Sequence, residues 1–279
     1  MDIQLSGHSG CSITVLEDNS RLIVKKKSYE AGYNQRLYNQ YDKQKNYTSN
    51  IFCTTPVYQC VEEGDGLLSF SMDFINGKTL AEEMKTIELS KISILGQKLS
   101  SVIPQEIKHN AAANDFFHKK IESLEAAVNT DCPELKAAFY KLYSYDWSLA
   151  SHSQCHGDLT LENIILKDEQ LYLIDFLDSF YNTWIIDLAK IFQDVDLYWH
   201  YRYEKVICSN LQIRLLCLKE SIISAILAHP NGIRIYDTLY HALLLNILRI
   251  IPYCKDESTK DWINTKIQYV LGIIETLNH

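Results

Sequence analysis

An α+β chain is predicted, with a small antiparallel β-rich N-terminal lobe carrying one main helix and a larger, mostly helical C-terminal lobe. Three observations predict it. Apolar residues alternate with polar ones before Asn76-Gly77, they recur at helical spacing after it, and a hairpin-like pattern over 154–176 interrupts that helical rhythm. The break at Asn76-Gly77 reads as a hinge and divides the chain into lobes of residues 1–76 and 77–279.

Each element follows in order. Ile3 and Leu5 lead into Ser6-Gly7-His8-Ser9-Gly10, after which Ile13 and Val15 alternate with polar residues. Glu17-Asp18-Asn19-Ser20 is a turn cluster before the strand-like Leu22-Ile23-Val24. Leu37, Gln40, Tyr41, Gln44 and Tyr47 fall on adjoining faces of the one early helix. Strands are expected over 56–62 and 67–75, separated by Glu63-Gly64-Asp65-Gly66. Beyond the hinge, Thr79 to Glu82 forms a capping box for a short helix. Ser90 caps a second helix, with Leu89, Ile92, Leu95 and Leu99 as its apolar stripe, and Asn114 and Asp131 start two more. Ile164-Ile165-Leu166 and the run 171–176 flank the polar turn Lys167-Asp168-Glu169-Gln170. From Ile185 onward the pattern is helical, with Asn231-Gly232 expected to end one helix.

Composition excludes several classes. The 279 residues carry a formal charge of −8, and the Lys25-Lys26-Lys27 run is too short for a nucleic-acid tract. Eight cysteines show no CxxC spacing, so buried reduced thiols are expected rather than a disulfide framework or zinc site. The most apolar stretch, 233–253, is interrupted by Asp237, His241, Asn246 and Arg249, which argues for a buried helix over a membrane span. Met1-Asp2-Ile3-Gln4 leads directly into strand-like sequence, so no secretory leader is expected and the protein reads as cytoplasmic.

The chemistry concentrates in His156-Gly157-Asp158-Leu159-Thr160-Leu161-Glu162-Asn163, followed by Ile174-Asp175-Phe176. Phosphoryl transfer from ATP requires a carboxylate to receive the acceptor proton and hard oxygen ligands for Mg²⁺. Asp158 has the character of the base, while Asn163, five residues on, and Asp175, at the end of an apolar strand, suit the metal.

These residues resemble the aminoglycoside phosphotransferase and choline kinase superfamily, which implies a protein-kinase-like bilobal fold. That resemblance implies ATP and Mg²⁺ as cofactors and a small-molecule acceptor. Asp187-Leu188-Ala189 is similar to the family's next landmark, implying that Asp187 is a structural acid holding the catalytic loop. Met72 to Leu80 resembles the family's hinge, whose backbone at Asp73, Phe74 and Ile75 would meet adenine. Ser9 and Gly10 lie where a phosphate-covering hairpin loop is expected, and Lys26 is the expected phosphate-binding lysine, with Lys25 and Lys27 on the solvated face. The Val24-Lys25-Lys26 and Tyr33-to-Leu37 pattern, with Lys190-Ile191-Phe192-Gln193-Asp194, Trp199 and Arg202, resembles bacterial phosphotransferases associated with polysaccharide biosynthesis.

One departure matters. Kinases pair the strand lysine with a helix Glu, yet residues 33–50 contain one acid, Asp42, leaving Gln40, Asp42 and Gln44 as candidates. His156 reads as structural rather than as a base, and Cys155 as buried. Asp178 suits a metal or acceptor contact as well as it suits a solvated cap. Tyr181, Trp184, Tyr198, Trp199, Tyr201 and Tyr203 crowd a possible acceptor pocket, although core packing accounts for at least half of them. Only twelve positions separate Asp175 from Asp187, which leaves no room for a peptide-binding activation segment. The acceptor is then a sugar or related alcohol, or an amine drawn to Asp178, Asp194 and Asp196. The competing classes are a nucleotide-binding pseudokinase and a zinc hydrolase built around His156, the latter short of a second histidine. Oligomeric state is not legible.

Overall fold

The computed structural model describes residues 3–5, 10–18, 21–128 and 132–277. The proposed Ser9 and the expected helix start at Asp131 lie outside them. The chain parts into two compact units: one of residues 1–80, 156–158 and 162–179, the other of 81–155, 159–161 and 180–279. Residues 162–179, placed by the sequence reading in the C-terminal lobe, thus cluster with the first unit.

In the first unit, β1 (Ile3–Leu5), β2 (Cys11–Asp18) and β3 (Arg21–Ser28) precede α1 (Asn34–Asn46). β4 (Phe52–Thr54), β5 (Val61–Glu62), β6 (Leu68–Asp73) and β7 (Lys78–Thr79) follow. One antiparallel sheet runs β1-β2-β3-β6-β5. Its face toward α1 carries Cys11, Phe70 and Met72 against Leu37 and Tyr41, with Val24 and Ile13 at the margin. Period-2 alternation puts Lys26 on the same face as Val24 and Ser28, and Ser28 Oγ donates to Asn34 Oδ1 of α1 at 2.5 Å. Leu37, Gln40, Tyr41 and Gln44 are the buried residues of α1, as their spacing predicts.

The strand expected over 56–62 shrinks to β5. Before it, Val57 makes a single bridge to Met72, and the Tyr58 N–H reaches the Ser71 carbonyl at 2.7 Å. β4 escaped the sequence reading; its three residues pair in parallel with a strand more than a hundred positions away.

The second unit begins within α2 (Leu80–Glu83) and contains α3 (Leu89–Ser100), α4 (Ala112–Ala127) and α5 (Pro133–Ser144). Ser90 lies inside α3 rather than capping it, and Leu89 faces solvent, 56% exposed, while Ile92, Leu95 and Leu99 are buried. Asn114 lies inside α4, where its side chain reaches the segment after α5: Oδ1 accepts the Trp147 N–H at 2.8 Å.

The chain then returns to the first unit for β8 (Ile164–Lys167) and β9 (Gln170–Leu173). They form the expected hairpin. Asp168 and Glu169 both take positive φ, 49° and 63°, the two-residue turn whose twist matches that of the strands. These strands complete a second sheet, β4-β9-β8-β7.

α6 (Trp184–Val195), α7 (Ser209–Ala228), α8 (Gly232–Leu248) and α9 (Glu257–Leu277) complete the second unit. α6 and α9 both pack on α8, and α3 packs on α7. Asn231-Gly232 opens α8 rather than closing α7, which ends at Ala228. α8 buries Leu239 through Leu248, as the interrupted apolar stretch predicts. Among the described residues no helix is long and apolar enough to cross a membrane.

Candidate active site

Two of the expected site residues, Asn163 and Asp175, are placed by strand ends. Ile164 pairs with Leu173, and the Ile174 N–H continues the ladder to the Asn163 carbonyl at 3.1 Å. Asn163 and Asp175 are therefore set by adjacent strand ends, although they are twelve residues apart in sequence. Asn163 Nδ2 donates to the Asp158 carbonyl at 2.8 Å and to Asp158 Oδ2 at 3.2 Å. The amide is thus oriented with nitrogen toward Asp158, which leaves its oxygen for another ligand.

Asp175 stands at φ 60°, a left-handed conformation that is uncommon for a residue with a Cβ and tolerated best by Asp and Asn. Its carboxylate forms an ion pair with Lys26. Lys26 is 3% exposed. Burial alone would lower its pKa; the charge and hydrogen bond of Asp175, with smaller help from Cys11 and Tyr33, outweigh that and raise it. Lys25 and Lys27 point the other way and pair with Glu63 and Asp65 on the solvated face, as expected.

His156 is fully buried and structural. The Asp158 N–H lies 3.2 Å from Nδ1, and Nε2 sits 2.7 Å from the Ile174 carbonyl, which fixes the Nε2–H tautomer. Both ring nitrogens are engaged, so neither has a lone pair for zinc, and the hydrolase alternative loses its ligand. Burial holds the pKa down to about 4, against smaller upward pulls from Asp158 and the Ile174 carbonyl. A depressed histidine contributes stability above its unfolded pKa of 6.5 and loses it as pH falls toward about 4. The stability gap between wild type and His156→Gln should therefore narrow as urea midpoints are taken from pH 7 to pH 4. A constant gap would contradict a neutral His156.

The loop also needs Gly157. Its φ is 91°, and a Cβ there would come within 2.5 Å of the Leu177 carbonyl and Ser179 Oγ, and 3.0 Å of Lys43 Nζ. The Leu177 N–H donates to the His156 carbonyl at 3.0 Å. The 156–158 loop and the segment after Asp175 thus touch backbone to backbone.

The remaining expected residues lie on or beside the main sheet. Asp73 ends β6, paired with Ile23, and accepts the Tyr58 hydroxyl at 2.5 Å. The Phe74 N–H is engaged by the Leu22 carbonyl at 3.0 Å, so it is not free for adenine. Ile75 makes no backbone hydrogen bond to any described residue and is the hinge amide that remains. Gly10 begins the described part of its loop; its carbonyl accepts the Tyr29 N–H at 3.1 Å, and the Tyr33 ring occupies the space of its missing side chain.

None of the α1 candidates reaches Lys26. Gln40 donates to the Tyr33 hydroxyl at 3.0 Å, Gln44 to the Thr55 carbonyl at 3.0 Å, and Asp42 accepts from Asn46. Sequence reasoning missed what α1 does present: Lys43 Nζ donates to the Leu177 carbonyl at 2.8 Å and to Ser179 Oγ at 3.1 Å, and Asn39 donates to Asp178 at 3.2 Å. The signal was available, because Asn39 and Lys43 share one helix face at i, i+4 spacing, but the search there was for an acid.

In the second unit, Asp187 is buried in the first turn of α6. Further along, Asp194 accepts the Leu161 N–H at 2.7 Å and the His200 N–H at 3.1 Å. Asp196 accepts from Lys219 at 3.1 Å, Tyr240 at 2.8 Å and Tyr269 at 3.0 Å. Both carboxylates are internal supports, which removes two of the acids expected to attract an amine. Tyr181, Trp184 and Tyr201 are likewise buried in the core, Tyr201 donating to the Ala81 carbonyl at 2.6 Å.

The donor set fits Mg²⁺. The Asn163 amide oxygen and the Asp175 carboxylate are hard ligands, few enough for an ion that completes its shell with phosphates and water. Among the described residues no group of three His, Cys, Asp or Glu side chains forms a closed metal cage.

The fold is that of the aminoglycoside phosphotransferases. A thermostable mutant of aminoglycoside phosphotransferase APH(4)-Ia, apo form, superposes with TM-score 0.59 at 12% identity, over 99% of this chain and 93% of that one. Spectinomycin phosphotransferase APH(9)-Ia, crystallised with ADP and spectinomycin, gives 0.56 at 12% identity over 99% and 92%. The GDP complex of an aminoglycoside 2'-phosphotransferase IIIa mutant gives 0.55 at 11% identity over 100% and 92%. The model of the phosphotransferase enzyme family matches residues 101–204, the stretch that holds Asp158, Asn163, Asp175 and Asp187. The family model agrees, over those residues, with the superfamily that the sequence motifs resemble, and the solved structures share the fold. No curated protein matches the sequence.

Proposed function

We propose that this protein is a small-molecule kinase that moves the γ-phosphoryl group of ATP to a hydroxyl of a compact acceptor. The observation that carries the reading is that one unit holds the Asn163–Asp158 hydrogen bonds and the Lys26–Asp175 ion pair, with the Ile174 N–H to Asn163 carbonyl bond linking the two segments. In this reading Lys26 meets the α- and β-phosphates, and the Ile75 backbone meets adenine. Asp158, held by the Asn163 amide, orients the acceptor hydroxyl and takes its proton late in transfer. Mg²⁺ would be held by Asn163 and Asp175 and, when bound, neutralises charge on the phosphates. ADP with spectinomycin in one structural neighbour supports a nucleotide and a small alcohol as the pair of substrates.

A sugar or sugar-derived alcohol is favoured over an amine, because Asp194 and Asp196 are engaged inside the second unit. The resemblance to polysaccharide-associated phosphotransferases points the same way. A coupled ADP-release screen over sugars, amino alcohols and aminoglycosides tests the reading. Turnover with at least one sugar is expected, and no acceptor-dependent ADP release from any of them would overturn it. The second reading, a nucleotide-binding pseudokinase, rests on the absence of an α1 acid near Lys26. A thermal shift with MgATP but no ADP release would select it.

A further inference from the structure

We propose that Lys43 is a positioning residue that couples helix α1 to the metal-ligand turn, in place of the acidic link to Lys26 that this helix lacks. The inference rests on the phosphotransferase reading for its catalytic consequence, but its structural content stands apart from it.

The Lys43 ammonium lies where three segments meet. It is carried by α1, it donates to the Leu177 carbonyl and Ser179 Oγ just beyond Asp175, and it occupies space beside Gly157 that a Cβ would crowd at 3.0 Å. One turn earlier, Asn39 holds the Asp178 carboxylate at 3.2 Å. The two side chains therefore grip three consecutive residues of the segment, 177 to 179. Such a grip has a physical reason, because Asp175 sits at φ 60°, and a left-handed residue persists only where its surroundings over-determine it. The Lys43 donation to the Leu177 carbonyl and the Asn39 donation to the Asp178 carboxylate are both charge-assisted, and such bonds are stronger than neutral ones. Ordering a long lysine side chain costs rotamer entropy, which a solvated role would not require.

The test uses the full chain with Lys43→Met, Lys43→Gln, Lys43→Arg and Asn39→Ala. Hydrogen exchange without nucleotide reads the segment directly. Residues 174–180 should exchange faster in Lys43→Met and Lys43→Gln, while β2 and β3 stay protected as in wild type. In turnover, the Mg²⁺ concentration for half-maximal rate should rise by about 10- to 100-fold, the usual cost of losing a group that orients a metal ligand. KM for ATP at saturating Mg²⁺ should move little. Lys43→Arg, which keeps charge and donors, should recover most of the Mg²⁺ dependence, and Asn39→Ala should show a smaller shift in the same direction. Wild-type exchange at 174–180 and an unchanged Mg²⁺ requirement in the folded variants would make Lys43 an ordinary surface lysine. Should wild type itself fail to turn over, the proposed function falls while the exchange measurement still decides this point.

Discussion

Replacing Asp158 with Asn is expected to lower turnover by about 100- to 10,000-fold, the range for loss of a positioned general base, while MgATP binding stays near wild type. The substitution keeps the shape of the side chain. The Asn163 amide can still donate to the Asp158 backbone carbonyl, and the backbone N–H at 158 still faces His156 Nδ1, so the loop keeps its supports. What is lost is an acceptor for the hydroxyl proton. Single-turnover ADP release measures the first quantity and calorimetric MgATP titration the second. Full activity in Asp158→Asn would remove Asp158 as the base. Equal loss of binding and turnover would mean that Asp158 is a nucleotide or metal contact instead. His156 offers no substitute base, because both its ring nitrogens are engaged and burial holds it neutral.

Much of this arrangement was legible in the sequence, for local reasons. The β8–β9 hairpin is legible as two apolar runs around a polar turn, and its register carries Asn163 and Asp175 to adjacent strand ends. Lys26 was identifiable because alternation along β3 turns it away from Lys25 and Lys27. The failures have long-range causes. β4 is a strand only because β9 lies beside it, and three residues carry no periodic signal. Ser90 and Asn114 have capping side chains, yet their helices begin earlier, and tertiary demand draws Asn114 to the Trp147 backbone. Asp194 and Asp196 read as acids able to draw an amine because their partners, from Leu161 to Tyr269, are scattered along the chain. The partner of Lys26 was sought on α1, whereas the structure supplies it 149 residues away in Asp175, and α1 offers a cation to the opposite side of the same site.

That exchange of partners makes Asp175 the residue whose loss should be felt twice. Asp175→Ala is expected to abolish acceptor-dependent turnover, since it removes the one carboxylate among the proposed Mg²⁺ ligands. It should also destabilise the apo protein, because Lys26 would remain 3% exposed with no counter-charge. Breaking a buried pair from one side costs about 3–5 kcal/mol, and the lower end applies because Asp175 itself is 32% exposed. For a chain of this size that corresponds to a Tm lowered by roughly 6–10 °C. Lys26→Met/Asp175→Asn should regain most of that stability, since no charge is then stranded, yet remain inactive. The pH dependence has a definite sign. Folding raises the Lys26 pKa above 10.5, so the pair stabilises fully below that value and its contribution fades as the pH climbs through the raised one. Scanning calorimetry of the three proteins separates the effects: an Asp175→Ala variant as stable as wild type would show that Lys26 has another partner, and a double variant no more stable than Asp175→Ala would show that burial of the lysine is not the cause.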